Sequence, residues 1–344
     1  MKLSFHLLLP GLFTFSMTSA QVTPTSFSPT TNLSSLPSTI IRLVSDAALP
    51  SRSAFSHFEI IDERPDTARI GFHTNKAAST FSRSRDRQLV LAQPATKEIT
   101  DWLDRHYARP DAPYTALIVL RTLWLSDANY APEDKQKDPR RQFERTHIRL
   151  KAEVYAQKDG IYQPIFRFDT LQYTTKAVYS VKSPYSVWDK DLSAILGELA
   201  DSASLITAQR SSSPERQIRL EDIRRFNESR FDLPINGDSS LVPGAYASFG
   251  EFRNNAPSIR HFEIRMEDNK RLLYISEGPG RSYYSHDAWG YCDGKNIFVM
   301  RDGVLYPAWK EGNAFYISNN PDPAIPPSTG FITGTIDMDN GTLY

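Results

Sequence analysis

The order of apolar and polar positions divides the chain into two patterned regions joined by a charged stretch. FSHFEIIDERPDTARIGFH (residues 55–73) has two short apolar runs around a turn containing Pro65 and Asp66, which predicts two strands. PATKEITDWLDRHYARP (94–110) places Ile99, Trp102, Leu103 and His106 at helical spacing between two prolines, predicting an amphipathic helix. YTALIVLRTLWLSD (114–127) is almost continuously apolar and β-branched, the pattern of a central strand. THIRLKAEVYAQK and IYQPIFRFDTLQYTT flank Asp159-Gly160, whose residues suit a turn with positive φ, so they predict a hairpin. DKDLSAILGELADSASLI closes the region with Leu192, Ile195, Leu196 and Leu199 on one helical face.

RSSSPERQIRLEDIRRFNESRF (210–231) mixes charges densely and reads as a linker with some helix. In the second region, Ser248 and Glu251 of AYASFGEFRNNAPSI have capping-box spacing, and Asn254-Asn255 can end that short helix in a left-handed turn. Short strand-like runs then follow, separated by Asp293-Gly294, Asp302-Gly303, Glu311-Gly312-Asn313 and Asn340-Gly341. These turns predict an antiparallel meander.

The expected fold class is therefore α+β: a mainly antiparallel sheet with two covering helices, followed by a mostly β meander forming a small sandwich or open barrel. Length supports two domains of ordinary size in a chain of 344 residues. The expected boundaries are a signal peptide at 1–20, a flexible leader at 21–38, an α+β domain at 39–208, a charged linker at 209–231 and a mostly β domain at 232–344.

The opening residues change the picture of where the chain works. MKLSFHLLLPGLFTFSMTSAQ has a cation at Lys2, an apolar stretch, and small residues at Thr18 and Ala20, predicting cleavage before Gln21. The apolar stretch is short and interrupted by Pro10, whereas a spanning helix needs roughly 20 mostly apolar residues. The expectation is a periplasmic or secreted chain with no integral membrane segment after cleavage. A lipoprotein would place a cysteine after the cleavage site, and the single cysteine is Cys292. That same count excludes an internal disulfide, so packing must provide stability. Forty Lys and Arg balance forty Asp and Glu, leaving no net field to attract nucleic acid.

GAYASFGEFRNNAPSI, WGYCDGKNIFV, IDMDNGTLY and the upstream HFEIIDERPDTARIGF resemble segments of uncharacterised exported proteins of Gram-negative bacteria. The resemblance implies a periplasmic or envelope setting and no particular chemistry. The order of elements in the first region is also similar to small periplasmic lipoprotein domains that assist envelope transport, a likeness of fold alone.

Candidate chemistry is sparse. Ser285, His286 and Asp287 are consecutive, so in a strand they alternate faces and cannot form a relay. Cys292 precedes a turn and reads as a core residue. Glu144 with His147, and His57 and His73 with nearby carboxylates, lack a third ligand at diagnostic spacing; neither a metal nor another cofactor is expected. Asp62, Arg64, Asp66 and Arg69 alternate in sign around Pro65, suited to reciprocal ion pairs in a tight turn.

The aromatic residues are the stronger signal. Nine lie between Tyr283 and Tyr316, about twice the density of the whole chain, and most should be core. Those on an outer face would form a platform for a sugar ring or a protein partner, and Tyr283, Trp289, Tyr291 and Trp309 are the candidates because each joins apolar area to a polar handle. The expected function is an exported, non-enzymatic binding or scaffolding protein of the envelope. The alternatives are a glycan-binding module using the same aromatics and a cell-envelope hydrolase using carboxylates such as Asp62, Asp66 and Asp293.

Overall fold

The computed structural model describes residues 33, 36–44, 53–73, 87–130, 142–178, 185–209, 217–237, 240–318 and 332–344. The expected signal peptide and most of the expected leader lie outside them. The fold is α+β. Strands β1 (Ser38–Ile41), β2 (Phe55–Asp62), β3 (Gly71–His73), β4 (Arg87–Leu91), β5 (Tyr114–Tyr130), β6 (Gln142–Lys158) and β7 (Ile161–Val178) form one seven-stranded sheet.

β5 is central because both its edges are used. β6 runs antiparallel along one edge, while β2 and then β3 lie parallel along successive stretches of the other. The two strands flanking Pro65 therefore do not pair with each other; the sheet is mainly antiparallel, as the pattern predicted, through the long β5–β6 and β6–β7 ladders, and it also carries the parallel pairings of β2 and β3 with β5. Gly71 makes this arrangement possible: at φ 148° it opposes Leu125, whose carbonyl oxygen would lie 1.8 Å from any added Cβ. β1 and β4, which the pattern does not announce, extend the sheet as a parallel pair.

A bulge in β5 decides which side chains face where. Before it, Ala116, Ile118 and Leu120 enter the main core; after it, Leu123 and Leu125 do. Parity changes at Arg121, the extra residue in the register, as expected when two residues oppose one. The β6–β7 hairpin turns at Asp159 and Gly160 with φ of 54° and 78°, as their chemistry requires.

α1 (Ala95–Tyr107) and α2 (Tyr185–Gln209) cover one face. The predicted stripes of Ile99, Trp102, Leu103 and His106, and of Leu192, Ile195, Leu196 and Leu199, are all buried. α3 (Leu220–Glu228), within the expected linker, packs Ile223 against Leu117, Val119, Tyr155 and Tyr162 on the opposite face. This stretch is thus a packed element: Ile218 also bridges to Tyr162.

The second unit has two sheets. β8 (Gly244–Tyr246), β12 (Gly290–Cys292), β13 (Ile297–Arg301), β14 (Val304–Glu311), β15 (Ala314–Ser318) and β16 (Ile332–Thr335) form one in the order β16-β15-β14-β13-β12-β8. β9 (Phe262–Glu267), β10 (Lys270–Gly278) and β11 (Arg281–Ser285) form the other, in the order β11-β10-β9. The short helix α4 (Phe249–Arg253) is capped by the Ser248 hydroxyl, which accepts from the Glu251 amide, and ends at Asn255 with φ 49°. Glu251 reciprocates one residue further back than the motif predicts, accepting from the Ala247 amide at 2.7 Å.

The two units meet through a shared apolar cluster. Phe72 and Trp124 from the first sheet pack with Trp309, Ala314 and Tyr316 from the six-stranded sheet, and Leu33 is buried among them. Leu33 and its neighbour Leu36 lie inside the expected flexible leader, and both take part in this packing. Among the described residues no helix is long and apolar enough to cross a membrane.

Candidate functional site

The four aromatic candidates occupy different environments. Trp289 stacks on Phe252 with ring centroids 4.2 Å apart and is partly buried against the second unit's core. Tyr291 is 8% exposed and stacks on Phe298 at 4.7 Å, in the layer between the two small sheets. Trp309, 6% exposed, lies in the cluster joining the units. Tyr283 alone is well exposed, at 46%. A single platform of these four is therefore corrected by the fold: three supply apolar area to three separate packing layers of a chain without disulfides.

The surface that does display aromatics is the three-stranded sheet. Registers place Phe262, Ile264, Leu273 and Ile275 on the face packed toward Phe298 and Leu305, and Glu263, Arg265, Tyr274 and Tyr284 on the other. On that outer face the Arg265 guanidinium sits 3.8 Å from the Tyr274 ring centroid, and the Tyr274 and Tyr284 rings are 5.8 Å apart. Tyr283, on the edge strand β11, overhangs the packed face. Among the described residues β9 and β11 each pair only with β10, leaving both edges with backbone groups that a further strand can use.

The remaining sequence candidates are occupied structurally. Ser285 is buried, while His286 and Asp287 are exposed with 3.7 Å between Nε2 and Oδ1, so no relay forms. Burial pushes the Cys292 thiol up to about 11, against a partial lowering by the Gly294 amide that donates to its sulfur. A thiol so placed is a poor nucleophile. His57 pairs with Asp104 at 2.7 Å and His73 with Asp127 at 3.2 Å, in separate places. Among the described residues no three His, Cys, Asp or Glu groups are arranged to hold a metal; the Glu144 side chain lies outside them.

The carboxylates proposed for hydrolysis are likewise engaged. Asp62 takes both a 2.7 Å contact from Arg64 Nε and one from its Nη2. Asp293 accepts from the Lys295 and Asn296 amides of its own turn. Asp66 accepts from the Ala68 and Arg69 amides, pairs with Arg69 at 3.3 Å, and receives the Tyr316 hydroxyl. The alternating charges around Pro65 do form local pairs, and Arg69 also reaches across to Glu311 at 2.5 Å.

This joint between the units is a second candidate site, and pattern reading missed it. Lys151 of β6 forms a buried ion pair with Asp337, which also accepts the Tyr344 hydroxyl. Arg230 grips Asp339 with Nε and Nη2 at 3.0 and 2.9 Å. Burial would raise the Asp337 carboxyl, but hydrogen bonds from Lys151, Tyr344 and the Asp339 amide hold it below the usual carboxylate range. Burial raises the Tyr316 and Tyr344 phenols, reinforced by their carboxylate partners, so both remain donors. Between these groups lies a cavity of about 40 Å³ lined by Arg64, Asp66, Arg121, Trp124, Arg230 and Asp337, among others. Its signal in the sequence was the cation Arg121 inside an apolar strand, but nothing local identifies what that cation faces.

No family model and no curated protein sequence matches the chain. It is similar to the crystal structure of protein XCC0632 from Xanthomonas campestris, of the DUF330 family model, at 15% identity. The similarity covers 51% of this chain and 100% of that one, with a TM-score of 0.32. At that level it defines neither family nor function.

Proposed function

We propose that the protein is an exported binding or scaffolding protein of the bacterial envelope, presenting the β9–β11 sheet to a protein or glycan. The observation carrying this reading is the exposure of Tyr283 and Tyr284, at 46% and 37%, on an edge strand of a sheet whose two edges pair with no further strand among the described residues. An open edge pairs with extended backbone, and exposed tyrosines stack on apolar or sugar surfaces. The apolar start with small residues before Gln21, and the resemblance of both regions to exported Gram-negative proteins, support the location. Tyr283 remains the one member of the original aromatic set that fits this role.

Site-specific photocrosslinkers at Tyr283 and at Leu205, which is exposed on α2, test the surface in cells expressing the full chain. The expected result is one defined envelope adduct from position 283 and none from 205. A glycan array with the purified protein separates the two ligand classes. Silence in both experiments overturns the binding surface, and N-terminal sequencing of the chain at any residue other than Gln21 overturns the predicted cleavage.

A further inference from the structure

One edge of the three-stranded sheet is prepared for a further strand. Along β11, Arg281, Ser282, Tyr283 and Tyr284 are all exposed and only Ser285 is buried. The Ser276 amide of β10 donates to the His261 carbonyl at 3.0 Å, which turns the even positions of β10 toward β9 and the odd ones, Leu273 and Ile275, toward β11. Their partners Ser285 and Tyr283 therefore turn their backbone groups inward. Ser282 and Tyr284 turn theirs outward, where no strand among the described residues takes them. The opposite edge differs in its side chains. β9 carries Glu263, Arg265 and Glu267, hydrated charges of the kind that keep an edge from pairing, whereas β11 carries a single charge, Arg281, at its first residue.

We propose that the β11 edge pairs with the same edge of a second copy of the chain, antiparallel about a two-fold axis at Tyr283. This names the partner of the β9–β11 surface and rests on the reading of that surface as a binding site. The register follows from the outward groups. Placing Tyr283 opposite its own symmetry mate sets Ser282 opposite Tyr284 of the partner subunit, and the reverse, so every outward backbone group of both residues enters a reciprocal hydrogen-bonded pair. Shifting the axis to Ser282 or to Tyr284 leaves the other residue without a mate inside the strand. Arg281 then faces Ser285 of the partner subunit, so no like charges are opposed. On the packed face, Phe262, Ile275 and Tyr283 stand in one cross-strand row, and the axis continues that row into the same row of the second copy. Phe262 and Ile275 are half-buried and Tyr283 is exposed, so the row has apolar area left to bury. An extended segment of another sequence meets the same backbone groups; a second copy is selected because this register sets apolar beside apolar and leaves no outward group of either strand unused.

Sedimentation velocity of the full chain, from micromolar to near-millimolar concentration, tests the association, and cysteine substitution tests the register. A reversible monomer–dimer equilibrium is expected. Tyr283→Lys, which opposes like charges at the axis, should weaken it at least about tenfold, and Tyr283→Phe should leave it as in wild type. At the axis the two Cα atoms stand about 4.5 Å apart, within disulfide range. Tyr283→Cys should therefore give a reducible dimer under mild oxidant, while Met266→Cys, at a position 49% exposed on β9, should not. The native Cys292 is buried and does not interfere. A monomer at every concentration with no disulfide dimer from Tyr283→Cys overturns the pairing, as does a dimer unaffected by Tyr283→Lys or crosslinked by Met266→Cys in place of Tyr283→Cys. Photocrosslinking at position 283 separates this inference from the wider reading. A monomeric chain whose adduct is with another envelope protein overturns the second copy and leaves the binding surface standing, whereas no dimer, no adduct and no glycan removes both.

Discussion

The joint between the units and the three-stranded sheet use the same residue types to different effect. In the joint, Lys151 and Asp337 have side chains only 9% and 4% exposed. On the β9–β11 sheet, Arg265 and Glu263 form a pair with side chains 42% and 48% exposed. The first pair has given up hydration and depends on its partners; the second keeps water on both charges, which screens the interaction. The aromatics divide in the same way, with Trp309 sealed in the joint and Tyr283 overhanging an edge. Location, more than residue type, separates the parts that hold the fold from those left to meet other molecules.

The comparison is most severely tested by breaking the buried pair. Lys151→Ala leaves Asp337 charged and unpaired, with an expected loss of about 3–5 kcal/mol in chemical denaturation. A Lys151→Met/Asp337→Leu double variant should recover much of that loss. If the single variant is neutral, the joint does not depend on this pair. Trp309→Ala should also cost about 3–5 kcal/mol by removing a large side chain from a packed cluster, whereas Tyr283→Ala should stay within about 0.5 kcal/mol. Equal effects at the two positions would remove the contrast between them.

Acid sharpens it further. The folded-state pKa of Asp337 is depressed, so its contribution is present above the unfolded carboxylate range and lost as pH falls through the folded value. Stability measured downward from pH 6 should therefore decline less steeply in Asp337→Asn than in wild type, although the variant starts lower. Identical slopes would place the acid sensitivity elsewhere. The smallest effect belongs to Arg265→Ala, which should leave the melting temperature unchanged while altering only the surface available to a partner.

Local chemistry made much of the fold legible. The Asp159-Gly160 turn, the stripes of α1 and α2, the Ser248 cap and the Asn255 terminus each depend on residues near in sequence, acting through φ preference, side-chain direction or a short-range hydrogen bond. The candidate surface was legible only in part: aromatic density was plain, but a strand's pattern does not say which face meets a second layer. Tyr291 and Tyr283 are the same residue type and differ in what folds over them.

The sequence by itself determined the α+β class, the helical faces and the positions of tight turns, because these follow from periodicity and from residues within a few positions of one another. The tertiary structure alone decided that β2 and β3 align with β5, that a bulge re-aims Arg121, and that Lys151 meets Asp337 from 186 residues away. Each choice selects among many distant partners that satisfy the same local pattern. Burial of whole faces, a close backbone approach at Gly71 and the need to pair buried charge make the selection only when the layers come together.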